Sequence, residues 1–218
     1  MKRQTAILPA ALAIGFLAAL SVSTPAFAQS GSWTVAGTGS AAYAIVGGVR
    51  TDLVTATLPA DGGVVSSDLV AGYVPGLLQS GCVTAVATGE GGSDLASAQT
   101  IASAADVNLL GGLITAARVI AVSSAVGGAD VLESAAEGSG FTGLVVAGVS
   151  LGGDGDYTPA PNTRMNLPGV GYVILNEQVR GGSGARITVN MIHVVLQGIL
   201  GTRTGEVVVG SATSAVGS

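Results

Sequence analysis

Residues able to do chemistry are few in this chain and far apart. His193 is the only histidine, Cys82 the only cysteine, and no lysine follows Lys2. A zinc centre built on three histidines is therefore impossible, and a single thiol does not make a structural zinc site. His193 lies in the strand-like run Ile187 to Gln197, where period-2 alternation sets it on one face with Met191 and Val195. A metal ligand or general base needs partners, so the residue reads first as a hydrogen-bonded strand histidine and second as a catalytic base. Cys82 opens Cys82-Val83-Thr84-Ala85-Val86 and reads as a buried, inert thiol. An intermolecular disulfide or a nucleophile are its other readings.

The acids offer one candidate metal site. Asp154-Gly155-Asp156 places two carboxylates in a glycine-rich segment, where both could turn toward one calcium ion. The later Asp/Asn and the distant Glu of an EF-hand are missing, so solvated turn acids are the competing reading, and no other cofactor is expected. Asp130, Glu133 and Glu137 have the spacing of one helical face, but flanking glycines argue for ordinary surface acids. Asn176-Glu177-Gln178 is expected at a strand end, satisfying exposed backbone. No G-x-S-x-G elbow occurs among the many serines. The mature aromatics, Trp33, Tyr43, Tyr73, Tyr157, Tyr172 and Phe141, supply few sugar platforms for a glycosidase cleft. No catalytic residue is assigned, and the chain reads as a non-enzyme, with a secreted hydrolase as the alternative.

Residues 1–28 decide where these groups work. Lys2 and Arg3 precede an apolar run from Ala6 to Leu20, and Ala26-Phe27-Ala28 supplies the small −3 and −1 residues of a cleavage site. This order is that of a secretory signal peptide cut after Ala28. The 190 residues from 29 to 218 suffice for one domain. They hold six arginines against 13 acids, a net charge of −7. Such a surface has no footprint for nucleic acid and is repelled by anionic membranes. Absence of lysine from this part excludes Schiff-base chemistry and a P-loop. One cysteine permits no internal disulfide, so the exported domain relies on its core alone.

That core must be built from strands. Apolar residues make up 48% of the chain and glycine 35 of 218 residues, a composition of short small-residue strands joined by tight turns. Expected strands are 39–46, 64–73, 82–88, 100–108, 113–122, 141–149, 172–179, 187–197 and 206–212. Gly111-Gly112 and Gly181-Gly182-Ser183-Gly184 predict hairpins, and Gly198 to Gly205 returns the chain to a last strand, completing a C-terminal meander. The segment 149–163, with glycines, acids and two prolines, reads as a long loop. Val74-Pro75-Gly76-Leu77, Leu110-Gly111-Gly112-Leu113 and Leu167-Pro168-Gly169-Val170 echo one another at unequal spacings. A solenoid needs a fixed period. The expectation is an all-β, antiparallel β-sandwich-like domain over 29–218, with a β-solenoid as the alternative. An outer-membrane barrel would need aromatic girdles that six rings cannot supply.

Several segments are similar, in order, to a known family. They are Asn108-Leu109-Leu110-Gly111-Gly112-Leu113-Ile114, Phe141-Thr142-Gly143-Leu144, Pro161-Asn162-Thr163, Asn166-Leu167-Pro168-Gly169-Val170-Gly171 and Leu175-Asn176-Glu177-Gln178. Ile187-Thr188-Val189-Asn190-Met191-Ile192-His193-Val194 and Val207-Val208-Val209-Gly210-Ser211-Ala212 follow. Together they resemble the bacterial choice-of-anchor P family of exported proteins. The resemblance implies a cell-surface setting and carries over no catalytic residue. The C-terminus departs from the family name, having no LPxTG-like motif, apolar tail or basic stop, which points to a secreted or loosely surface-associated protein. The functional expectation is a structural or adhesive β protein with an envelope or extracellular ligand and no membrane span after cleavage. The alternative is a calcium-stabilised binding module.

Overall fold

From Leu95 to Ala105 buried and more exposed side chains alternate, with Ala96, Ala98, Thr100, Ala102 and Ala104 all pointing one way. That is the period-2 signature of a strand with one face in a core. The computed structural model describes residues 32–218 apart from 183 and 199, and of residue 154 only its backbone. The signal peptide expected at 1–28 lies outside the described residues.

Fifteen strands follow one another: β1 (Thr34–Val46), β2 (Val49–Thr57), β3 (Gly62–Leu69), β4 (Gly72–Val74), β5 (Leu78–Ser80), β6 (Val83–Glu90), β7 (Leu95–Leu109) and β8 (Ile114–Gly128). Then come β9 (Leu132–Ala135), β10 (Gly140–Val146), β11 (Val149–Tyr157), β12 (Thr163–Leu167), β13 (Gly171–Arg180), β14 (Ala185–Gln197) and β15 (Arg203–Gly217). They form two open antiparallel sheets. The six-stranded sheet runs β12-β13-β14-β15-β1-β2. The nine-stranded sheet is centred on β7 and β8, with β6 and β5 side by side along β7, and β10 and β9 along β8. The fold is all-β and sandwich-like, and β12 to β15 are the expected C-terminal meander.

All three echoed segments are hairpin tips. Leu77 N donates to Val74 O, Gly112 N to Leu109 O and Val170 N to Leu167 O, the i to i+3 bond of a β-turn. Gly76, Gly111 and Gly169 take φ values of 71°, 67° and 78°, which side chains resist. The repeat is a repeated turn, not a solenoid rung.

The expected loop at 149–163 is mostly strand. β11 runs to Tyr157 as an edge paired to β10, and only the Thr158–Asn162 stretch crosses between sheets. Turn-forming residues are tolerated there because an edge strand can bulge: pairing jumps from Thr142↔Asp156 to Leu144↔Leu151. Expected strand 64–73 is broken into β3 and β4, with Val70 exposed between them. Asp130, Glu133 and Glu137 share no helix, since β9 pairs with β8 through this region. Strands β2, β5, β9 and β12 carry no apolar run long enough to stand out in the sequence.

Each sheet carries a crease. In the six-stranded sheet the ladders pass from Leu175↔Ile192 to Glu177↔Asn190, and from Ile192↔Val209 to Asn190↔Ser211, with no pair in the row between. Asn176 and Gly210 occupy that row with φ of 50° and 67°. In the nine-stranded sheet Asp106 and Gly143 do the same at 50° and 62°. The pleat changes phase at each crease, so Met191 faces the core while Ile192, its neighbour, is also fully buried.

Candidate functional site

His193 is placed by this crease. Period-2 alternation puts it with Met191, but the phase change moves Met191 into the core and leaves His193 on the outer face of the six-stranded sheet. Its cross-strand row reads Arg164, Ile174, His193, Val208, Tyr43, Asp52, one residue from each strand. The adjacent row on one side, Asn166, Tyr172, Val195, Glu206, Ile45, Arg50, brings Glu206 diagonal to the ring. Across the crease, Glu177, Asn190, Ser211, Ser40 and Thr55 form the next row.

Both ring nitrogens are held. Nδ1 lies 2.9 Å from Glu177 Oε2 and Nε2 lies 2.9 Å from Glu206 Oε2. Two carboxylates can both accept only if each nitrogen carries a proton, so the arrangement selects the imidazolium. Asn190 Nδ2 donates to Glu177 at 2.7 Å, and Ser211 Oγ donates to Asn190 Oδ1 at 2.7 Å. Arg203 pairs with Glu206 from the solvent side. The side chains of His193, Glu177 and Glu206 are only 14%, 17% and 13% exposed, so these are partly desolvated pairs rather than surface ones. Ser40 Oγ, in the row of Ser211, is buried without a hydrogen-bond partner among the described residues.

Electrostatics follow the geometry. Burial pulls the His193 pKa down, but bonds to Glu177 and Glu206 and their charges outweigh it, and the net shift is upward from 6.5. The His193 bond holds Glu177 below its ordinary 4.5, against burial and with help from Asn190. Tyr43 is raised by burial first and then by the Glu206 charge, with Arg50 opposing. Arg50 stacks 3.8 Å from the Tyr43 ring centroid and pairs with Asp52 at 2.7 Å; Arg164 stacks 3.7 Å from Tyr172. These stacks flank the histidine on either side.

Other sequence candidates stand apart from it. Asp156 accepts from Thr142 Oγ1 at 2.8 Å, in a row with Arg118 that borders a cavity of about 290 Å³. Among the described residues no group of three or more His, Cys, Asp or Glu could hold a metal ion. Cys82 is exposed, not buried: it precedes β6, outside the alternation that buries Val83 and Ala85. Its carbonyl and that of Ala105 form the bonds that tie Gly81 and Ala105 across the crease. Asn176-Glu177-Gln178 lies within β13, not at its end. Asn176 Nδ2 donates to Pro159 O at 2.8 Å and Gln178 N to Asn162 Oδ1 at 3.0 Å, fastening the crossing segment.

The residue that sequence reasoning missed is Glu206. It was visible as the one acid opening an otherwise aliphatic strand, but only the β14–β15 register brings it to His193. No protein-family model, curated protein or solved structure matches this chain. No helix among the described residues is long and apolar enough to cross a membrane.

Proposed function

We propose that this is an exported, non-enzymatic β protein acting at or beyond the cell envelope through structural or adhesive contacts, as the likeness to choice-of-anchor P proteins suggests. The observation that carries the reading is the state of its one histidine. Both ring nitrogens are engaged by carboxylates from the two neighbouring strands, so the ring offers no free lone pair to a substrate. Glu177, His193, Glu206 and Arg203 act as a strut that fastens β13, β14 and β15 on the sheet's outer face. The leader supplies the route out of the cell, and a fold without disulfides gains from such fastening.

Fractionating producing cells into medium, wall and membrane tests the location, with the protein expected in medium or wall. Assaying glycan and peptide turnover by the purified protein and by the Glu177→Gln/His193→Gln variant tests the absence of catalysis. Neither is expected to turn over substrate; turnover lost in the variant would overturn the reading.

A further inference from the structure

We propose that a groove at the end of the sandwich where β1 begins binds a short, basic, partly apolar peptide segment. The groove is a shallow, open depression of about 820 Å³ lined by Trp33, Leu95 and Val131 with Asp94 and Asp130 among them. That size is in the range of ligand sites, and an apolar lining with a few polar groups is their usual composition. Trp33 is fixed there by backbone. Its N–H donates to Gly92 O at 2.9 Å, and its ring lies against Gly127, where an added Cβ would stand 3.0 Å from Cε3 and 3.1 Å from Cζ3. Glycine at 127 thus leaves room for the indole against the end of β8, where it is half-buried in the groove wall.

Leu95 is 58% exposed at this mouth, a large aliphatic side chain left in water beside a half-covered indole. Charge then selects the occupant. Both polar side chains that can ionise in the lining are acids, and both are exposed. The mature chain's excess of acid over arginine adds a negative field around them. An acidic or phosphorylated partner is repelled, whereas a segment alternating aliphatic side chains with Lys or Arg fills the groove and meets Asp94 and Asp130. Its cationic groups can also lie over the indole. This inference concerns a different end of the molecule from the histidine strut, and its failure leaves the envelope reading untouched.

Trp33 is the only tryptophan, so its emission reports the groove directly. The purified protein is titrated with the blocked pentapeptide Leu-Lys-Leu-Lys-Leu and with its Leu-Glu-Leu-Glu-Leu counterpart, with calorimetry as the second readout. A saturable response to the first and none to the second is expected, weakening as salt is raised. Asp94→Asn/Asp130→Asn is expected to weaken binding about fivefold to tenfold, as loss of two rim ion pairs should. Leu95→Lys, at a position exposed enough to fold normally, is expected to weaken it as well. No saturable response, equal response to both peptides, or binding unchanged in both variants overturns the proposal. So does a response confined to a neutral oligosaccharide run as a third arm, which would assign the groove to sugars.

Discussion

The two halves of the interior, divided by the creases, are packed on opposite plans. Toward the hairpin tips at Gly76, Gly111 and Gly169, the sheets are held apart by large aliphatics: Leu78, Leu109, Ile114 and Leu144 from one, Leu167, Leu175 and Ile192 from the other, all buried. Toward Trp33, where β1 and β15 face β6, β7 and β8, the central residues are small, Ala85, Ala87, Ala98, Ala102, Ala121 and Ala125 against Gly37, Gly39 and Ala212, with Phe141, Ile187 and Val189 filling the flank under β10 and β14. There the sheets come so close that a Cβ on Gly37 would stand 2.8 Å from Thr100 Oγ1. Hydroxyls fill the remaining space. Thr100 Oγ1 donates to Thr213 O at 2.9 Å, Ser214 Oγ lies 2.9 Å from Ser123 Oγ, and it donates to Thr100 Oγ1 at 3.1 Å. The centre of one half is held by volume, the centre of the other by proximity. Three long strands, β7, β8 and β15 of 15 residues each, run across the creases and join the two halves.

The contrast is broken or sharpened by changes of opposite sign. Leu144→Ala, in the thick half, is expected to cost about 2–5 kcal/mol in denaturant melts, the usual range for a cavity left in a packed core. A loss below about 1 kcal/mol would mean that the sheets close over the gap and the thick half is not volume-limited. In the thin half addition should do the damage. Gly37→Val is expected to cost about 1–3 kcal/mol or more, because the sheets must separate to admit it. Gly217, on extended β15 backbone with no atom within 4 Å of an added Cβ, controls for backbone effects through Gly217→Val.

The strut sits at the boundary between the halves. His193→Gln is expected to cost about 1–3 kcal/mol, leaving two partly buried carboxylates on adjacent strands without the cation between them. The double variant with Glu177→Gln should recover part of that loss, because one of the stranded charges goes with it. A pH series gives the smallest and most specific effect. His193 has a raised folded pKa, so its contribution is complete below the ordinary 6.5 and lost as pH rises through the folded value. Glu177 has a lowered folded pKa, so its contribution is present above the ordinary 4.5 and lost as pH falls through the folded value. Thermal midpoints should be highest between those two values, and the high-pH fall should vanish in His193→Gln.

Much of the fold was legible because its signal is local. Gly-Gly and Pro-Gly at hairpin tips, and the β14–β15 return at Gly198 to Gly205, required nothing beyond turn chemistry. Strands with Val and Ile in alternation announced themselves. The glycine- and acid-rich β11 did not, since edge pairing to β10 overrode its turn propensity, and β9 was hidden in an acidic stretch with helix-like spacing. For the site, His193 and Glu177 were both singled out but not joined. Alternation assigned His193 to the face of Met191, and nothing local marks Asn176 and Gly210 as the positions where the pleat changes phase. Cys82 failed for a similar reason, lying one residue outside the alternating run that it seemed to open.

The chain by itself therefore determined its secondary structure class, its hairpins and its small set of reactive side chains, because each depends on residue type and short-range spacing. Tertiary structure alone decided which residues meet. The registers of β13, β14 and β15 set Glu177 and Glu206 on either side of one imidazole. The creases decide which face each side chain takes, and the close approach of two alanine-rich sheets decides where glycine is obligatory. Those outcomes depend on pairing between segments far apart in sequence, where a shift of one residue would turn every side chain to the opposite face.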